Sequence, residues 1–263
     1  MLQNSRLLFY RSNHAIHATR PIIKPKISEP TLIYKPSEQW THQAKLLVEK
    51  AHAALLTQVD TLPYLDRRGL PEKAVKRYRL GWLSQDETLD GRPWGLEKDI
   101  WLFAGILIPT IENQNIIRLK IRRKDAQQGN QRYIAISGGM SGLTIVGDKK
   151  KEVMIVVESE LDAYALHNVV GDIAVIIAVG GNIKKPDPQI AHMACSKTLL
   201  ICYDNDDAGK HMWKRWKALY AHAQPFPTPI GKDIGEAIEQ GFDLKSLITN
   251  RLRCSIQTRS DLV

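Results

Sequence analysis

No apolar run in the 263 residues is long enough to span a bilayer, so no membrane partner is expected. Cysteine is scarce. Cys195, Cys202 and Cys254 lie far apart and form no CxxC pair, which argues against both a disulfide framework and a zinc site. Two of them fall in or near apolar runs, where ordinary packing is the expected role. The chain has no P-loop, HExxH motif or nucleophile elbow, which removes the commonest nucleotide-hydrolysis, zinc-protease and serine-hydrolase readings. The acidic stretch DNDDAGKHMWKR is a poor EF-hand, since its fifth position is Ala208 and its twelfth Arg215. Acids are also missing at the start, where no Asp or Glu precedes Glu29 while Arg6, Arg11, Arg20, Lys24 and Lys26 do. Pro21, Pro25, Pro30 and Pro36 keep that stretch from forming one long element. Residues 1–36 are expected to be a disordered basic arm, with an organellar transit peptide as the alternative.

Two acidic clusters dominate the remainder, each following a short apolar run. Val153 to Val157 is a β-branched-rich run of the kind a doubly buried parallel strand needs, and Glu158 stands where it stops. Ser159 and Asp162 then have the spacing of a capping box, so a helix is expected at once. Thr198 to Tyr203 is a second such run, ending on Asp204, Asn205, Asp206 and Asp207. In open α/β sheets the ligand crevice lies outside the carboxyl ends of the strands, which would bring Glu158, Asp204 and Asp206 into one place. Asp204 and Asp206 are two apart and on extended backbone point the same way. Carboxylates so placed repel unless a divalent ion neutralises them, and an all-oxygen set suits Mg²⁺, with Mn²⁺ as the alternative. The chemistry this suggests is phosphoryl transfer or phosphodiester cleavage. Each acid also has a plainer explanation: Asp162 as capping-box partner, Asp207 as a first-turn acid, Asp233 as a helix N-cap.

These residues resemble the TOPRIM domain shared by bacterial DnaG-type primases, topoisomerases and some nucleases. VVESELDAYAL, AVGGN and CYDNDDAGK are similar to three consecutive blocks of a primase TOPRIM core, and YLDRRGLPEKAVKRYRLGW, GILIPTIENQNIIRLKIRR and RYIAIS resemble the segment that precedes it. The resemblance runs from about Tyr64 to Gly241. It implies that Glu158, Asp204 and Asp206 hold the metal, supported by Asp162 and Asp233, and that the activity is synthesis of short RNA primers from ribonucleotides on single-stranded DNA. A TOPRIM nuclease and a non-catalytic nucleic-acid-binding module of a replication or repair complex are the alternatives. The sequence departs from the family in having no cysteine and histidine zinc module and nothing after Val263 that would bind a helicase. A mobile-element or truncated relative is expected, one that borrows template recognition from a helicase or a separate zinc-binding protein. Gly235 stands where a further acid is usual, and Pro225, Pro227 and Pro229 fall where a fourth strand is expected, which leaves that sheet edge in doubt.

The expected fold class is α/β, a TOPRIM-type parallel sheet flanked by helices at 151–250, preceded by a smaller α+β subdomain at 37–150 and followed by a tail at 251–263. Strands are expected at Val153–Val157, Ile173–Val179 and Thr198–Tyr203. Upstream, Ala44, Leu47, Val48, Ala51 and Leu55 have helical spacing. A short helix is expected from Pro71 to Gly81, in a region crowded by Arg67, Arg68, Lys73, Lys76, Arg77 and Arg79. Ile100–Pro109 and Asn115–Arg123 read as two antiparallel strands. In the second, Ile117, Leu119 and Ile121 would face a core while Arg118, Lys120 and Arg122 share the other face, with Arg123 and Arg132 nearby in sequence. The plain account is a half-buried sheet whose wet side is basic. The primase resemblance implies instead that this face lines the path of the template, gripping phosphates without reading bases. The excess of nine basic charges agrees with a polyanionic partner, and the composition with a soluble, cytoplasmic protein.

Overall fold

The computed structural model describes residues 35–126, 131–180 and 186–260. The expected arm therefore lies outside the described residues except for Lys35 and Pro36, as do Gly181 and positions 261–263 of the tail. In chain order the elements are α1 (Glu38–Leu56), α2 (Thr61–Arg67), α3 (Glu72–Tyr78), β1 (Gly81–Leu83), β2 (Glu87–Leu89), a 3₁₀ turn (Arg92–Trp94), β3 (Ile100–Leu102), β4 (Gly105–Glu112), β5 (Asn115–Arg123), β6 (Tyr133–Ala135), β7 (Thr144–Val146), β8 (Val153–Val157), α4 (Glu160–Val170), β9 (Ala174–Ala178), α5 (Pro188–Ser196), β10 (Thr198–Tyr203), α6 (Asp207–Leu219), β11 (Gln224–Pro227), α7 (Ile234–Glu239) and α8 (Leu244–Ser260).

Helix α1 starts where Ser37 accepts the Trp40 amide, and its stripe of Trp40, Ala44, Val48, Ala51 and Leu55 is buried. The Trp40-to-Ala51 part of that stripe lies on one face of the antiparallel sheet β1-β4-β5-β6, against Leu107, Leu119 and Ile121. The expected strand Ile100–Pro109 is divided: β3 pairs with β2 in a separate ribbon, and β4 begins at Gly105. A bulge shifts the β4–β5 register, with Thr110 opposite Arg118 and Ile111 opposite Ile116. Parity therefore changes at Ile117, and Ile116, not Ile117, joins Leu119 and Ile121 in the core.

The other face of this sheet is covered as well. Ile106 and Ile108 of β4 pack into a core shared with Tyr164 and Leu161 of α4, and Arg118 and Lys120 of β5 are 2 % and 8 % exposed. The expected wet basic face is thus corrected for these two residues, because the second half of the chain is packed on that side.

The second sheet has the order β11-β10-β8-β9-β7, with β8, β9, β10 and β11 parallel and β7 antiparallel. Its strands alternate between two cores. Ile155 and Val157 of β8 face α4, α7 and α8, while Met154 and Val156 face α5 and α6. The three expected parallel strands are present, trimmed by a residue or so at β9. The doubtful edge is also a strand: Pro225 and Pro227 alternate with Gln224 and Phe226 in β11, so the prolines direct their missing donors away from β10. β7 at Thr144–Val146 already belongs to this sheet, ahead of residue 151, and α8 runs through the expected end at 250. Helix α2 was not expected, and α3 ends at Tyr78, capped by Arg79 in left-handed conformation with φ 50°, rather than at Gly81.

Candidate active site

Strands β8 and β10 are neighbours with parallel register, so the residues that follow them, Glu158 and Asp204, emerge at the same edge of the sheet. Each is succeeded by a helix whose first turn is capped by an acid or by a residue bonded to one. Ser159 caps α4 by accepting the Asp162 amide at 3.2 Å, and its hydroxyl donates to Asp162 Oδ2 at 2.5 Å. Asp206 caps α6, accepting the Gly209 amide at 3.0 Å. Asp233 caps α7, accepting the Glu236 amide at 2.9 Å. Gly209 is required by the close approach of α6 to the preceding strand end: a Cβ there would stand 2.7 Å from the Asp204 amide nitrogen. Asn205 ties in the loop after β11, its side chain donating to the Thr228 and Gly231 carbonyls at 2.9 and 2.7 Å.

The electrostatics separate these acids into two groups. Asp204 is pushed up to about 9, by burial first and then by Asp162, Glu158, Asp233 and Asp206, so the other four expected acids all act on this one. Glu158 is raised by burial and by Asp206, and its Oε1 is buried with no hydrogen-bond partner. For Asp206 burial is overcome by the Gly209 amide and by Lys232, 3.2 Å from Oδ2, which together hold it below the usual carboxylate range. Asp162 is fully buried and raised to about 6, by burial and then by Asp233. The Ser159 hydroxyl, Arg68 and the Gly235 amide oppose that rise, the amide donating to Oδ1 at 3.3 Å. Asp233 forms a close ion pair with Arg68. Among the described residues no three acids, histidines or cysteines converge into a ready-made cage. Among the same residues Glu158 and Asp204 have no ion-pair partner in contact, with Lys232 acting on both only at longer range. A buried orphan oxygen beside a carboxylate crowded by like charges fits a hard divalent ion that keeps water and phosphate oxygens in its other positions.

The basic residues also divide. Arg118 donates to the Gly142 carbonyl at 2.5 Å and to the Thr144 hydroxyl, with Glu160 at 3.9 Å. Lys120 donates to Glu160 Oε1 at 2.6 Å and to the Gly180 carbonyl at 3.0 Å, which anchors the turn after β9. Arg122 instead lies over the Tyr64 ring at 5.4 Å and, with exposed Arg132, lines a pocket that reaches Asp162, Asp233 and Arg68. Arg123 lies over Phe103 at 4.4 Å. Sequence reasoning gave no site role to Arg68, Lys232 or Glu160. Arg68 stood in a run of basic residues, and its partner is 165 positions away. Lys232 carried one signal, adjacency to Asp233.

Residues 155–238 match the family model described as Toprim-like. No curated protein matches the chain. Among solved structures, the chain is similar to the zinc-binding and RNA polymerase domains of the Aquifex aeolicus primase, with a TM-score of 0.61 and 20% identity over 83% of this chain. It spans 61% of that relative's length. It is similar to a DnaG primase catalytic domain bound to single-stranded DNA, with a TM-score of 0.58, 15% identity, and 82% and 78% of the two chains covered. The E. coli primase catalytic core matches with a TM-score of 0.54, 16% identity, and 82% and 83% covered. The chain thus carries a Toprim-like segment within the fold of a primase catalytic core.

Proposed function

We propose that this protein is a primase-type nucleotidyltransferase, which joins ribonucleotides on a single-stranded DNA template by attack of a 3′-hydroxyl on the α-phosphate of an incoming ribonucleoside triphosphate, the α–β phosphoanhydride bond breaking to release pyrophosphate and the hydroxyl proton passing to solvent. The observation that carries this reading is the pairing of Glu158 and Asp204 at the ends of adjacent parallel strands, one with a buried orphan oxygen and the other crowded by four acids. Glu158 and Asp204 would hold Mg²⁺ or Mn²⁺, with Asp206 at the rim. When bound, that ion supplies charge neutralisation at the phosphate and the attacking oxygen. The chain's own contribution is to orient. The α6 cap fixes Asp206, Lys232 holds its second oxygen, and the Lys120 hydrogen bond fixes the turn at Gly180. Arg122 and Arg132 are suited to phosphates of the template or nucleotide, since with Asp162 and Asp233 they line a pocket that opens to solvent. Phosphate binding of this kind gives affinity without base information, so start-site choice would fall to a separate zinc-binding protein or a helicase.

The test is to incubate the protein with single-stranded DNA and Mg²⁺, with and without ribonucleotides. Template-dependent short RNA supports the proposal. Cleavage independent of ribonucleotides would make the same acids those of a nuclease, and DNA binding with neither product would make the chain a binding module.

A further inference from the structure

Arg68 lies at the base of the acid crevice with its side chain 17 % exposed, in a close ion pair with Asp233. Its guanidinium also raises no conflict with its surroundings: burial works against the charge, but Asp233, Tyr64 and Asp162 more than offset it. Room for it is made by Gly235, where a Cβ would come within 2.6 Å of the guanidinium carbon. The Gly235 amide itself donates to Asp162 Oδ1, so the backbone there serves one acid while the space above it admits the cation that serves both. Arg68 is also 5.9 Å from the Tyr64 ring, which restricts it further. An arginine held this way is a permanent charge, since guanidinium does not lose its proton in proteins.

The internal cations are therefore already assigned. Lys232 touches only Asp206, acting on Asp204 and Glu158 at longer range, and Arg68 touches Asp233, while Asp162 is satisfied by Arg68, the Ser159 hydroxyl and the Gly235 amide. Among the described residues Glu158 and Asp204 are the two acids of the five with neither an ion-pair partner in contact nor the arginine, hydroxyl and amide that serve Asp162, and two carboxylates match one divalent ion. We infer that Arg68 occupies, as a built-in cation, the position beside Asp162 and Asp233 that a second metal would otherwise take, so that this site loads a single divalent ion. This rests on the reading of Glu158 and Asp204 as metal-holding residues. It makes Asp162 and Asp233 partners of an arginine and removes them from the ligand set.

The experiment is a Mn²⁺ titration of the full chain at pH 8 without nucleotide or DNA, with free Mn²⁺ followed by electron paramagnetic resonance. The expected result is one bound ion in the wild type, and two in Arg68→Ala, which exposes the Asp162 and Asp233 carboxylates. Two ions in the wild type, or one ion in a folded Arg68→Ala, would overturn the inference while leaving the metal reading of Glu158 and Asp204 in place. No bound ion in the wild type would defeat both. If Arg68→Ala does not fold, Asp162→Asn serves: it should still bind one ion, with affinity lowered by no more than about tenfold, or ~1.4 kcal/mol, since the Asp162 charge acts on Asp204 without touching the ion. A loss of about a hundredfold or more would place Asp162 in the ligand shell and overturn the inference.

Discussion

Asp204 is held half-buried among four other acids, and its pKa of about 9 has a measurable consequence for the metal-free protein. An unfolded aspartate titrates near ~3.9, so between that value and about 9 the folded state keeps a proton that the unfolded chain has lost. The stability this group contributes is full below about pH 4, declines as pH rises, and is gone above pH 9. Thermal unfolding in the presence of a chelator should therefore show a midpoint that falls from pH 5 to pH 9, and Asp204→Asn should flatten the fall. An unaltered slope in the variant would mean that Asp204 is not the group that titrates. Added Mg²⁺ or Mn²⁺ should raise the wild-type midpoint, since binding to the native state alone stabilises it, and Asp204→Asn should lose most of that gain. That Glu158, Asp206, Asp162 and Asp233 lie close enough to act on Asp204 was legible from sequence, because these acids follow strand runs or precede helices. Their division into a paired and an unpaired set was not, because the cations that divide them come from distant segments.

At the scale of elements, β5 shows what periodicity can and cannot tell. Alternation separates Leu119 and Ile121 from Arg118 and Lys120, and that separation holds. It does not say what lies against the second face, and here it is α4 with Glu160. Burial lowers the Lys120 pKa, with Glu160 opposing. Lys120→Met should cost about 3–5 kcal/mol in urea unfolding, the range for breaking a buried ion pair. A solvated surface lysine would lie within ~0.5 kcal/mol, and a value that small would return Lys120 to the wet face. Arg122 and Arg132, which keep access to the crevice, should bind the phosphates instead. Replacing both by Ala should lower the slope of log affinity against log salt for single-stranded DNA by about 0.7 for each phosphate no longer neutralised, and an unchanged slope would remove them from the interface. β11 gives the converse lesson. Its prolines argued against a strand, but Pro225 and Pro227 are tolerated because they alternate on the outer edge, where Arg251 reaches the Pro225 carbonyl at 3.1 Å.

For the whole molecule, the order of blocks along the chain carried the fold, and the sheet order β11-β10-β8-β9-β7 brings the ends of β8 and β10 side by side. What sequence could not supply was how the two sheets meet. The Tyr164 hydroxyl donates to the Pro109 carbonyl at 2.7 Å, and the Tyr78 ring stacks on Tyr164 at 4.1 Å, so α4 is wedged between β4 and α3. The early sheet is thereby one wall of a pocket, where Arg122 of β5 and Arg132 just before β6 face Asp162 of α4 and Asp233 at the start of α7. The direct test of this arrangement as a nucleotidyltransferase site is incorporation of labelled ribonucleotide on a single-stranded template with Mg²⁺, wild type against Glu158→Gln. The expected result is template-complementary RNA from the wild type and a loss of at least about a hundredfold in the variant, some ~2.7 kcal/mol of barrier, with single-strand binding and thermal midpoint retained. Full incorporation by Glu158→Gln would contradict the assignment of the site.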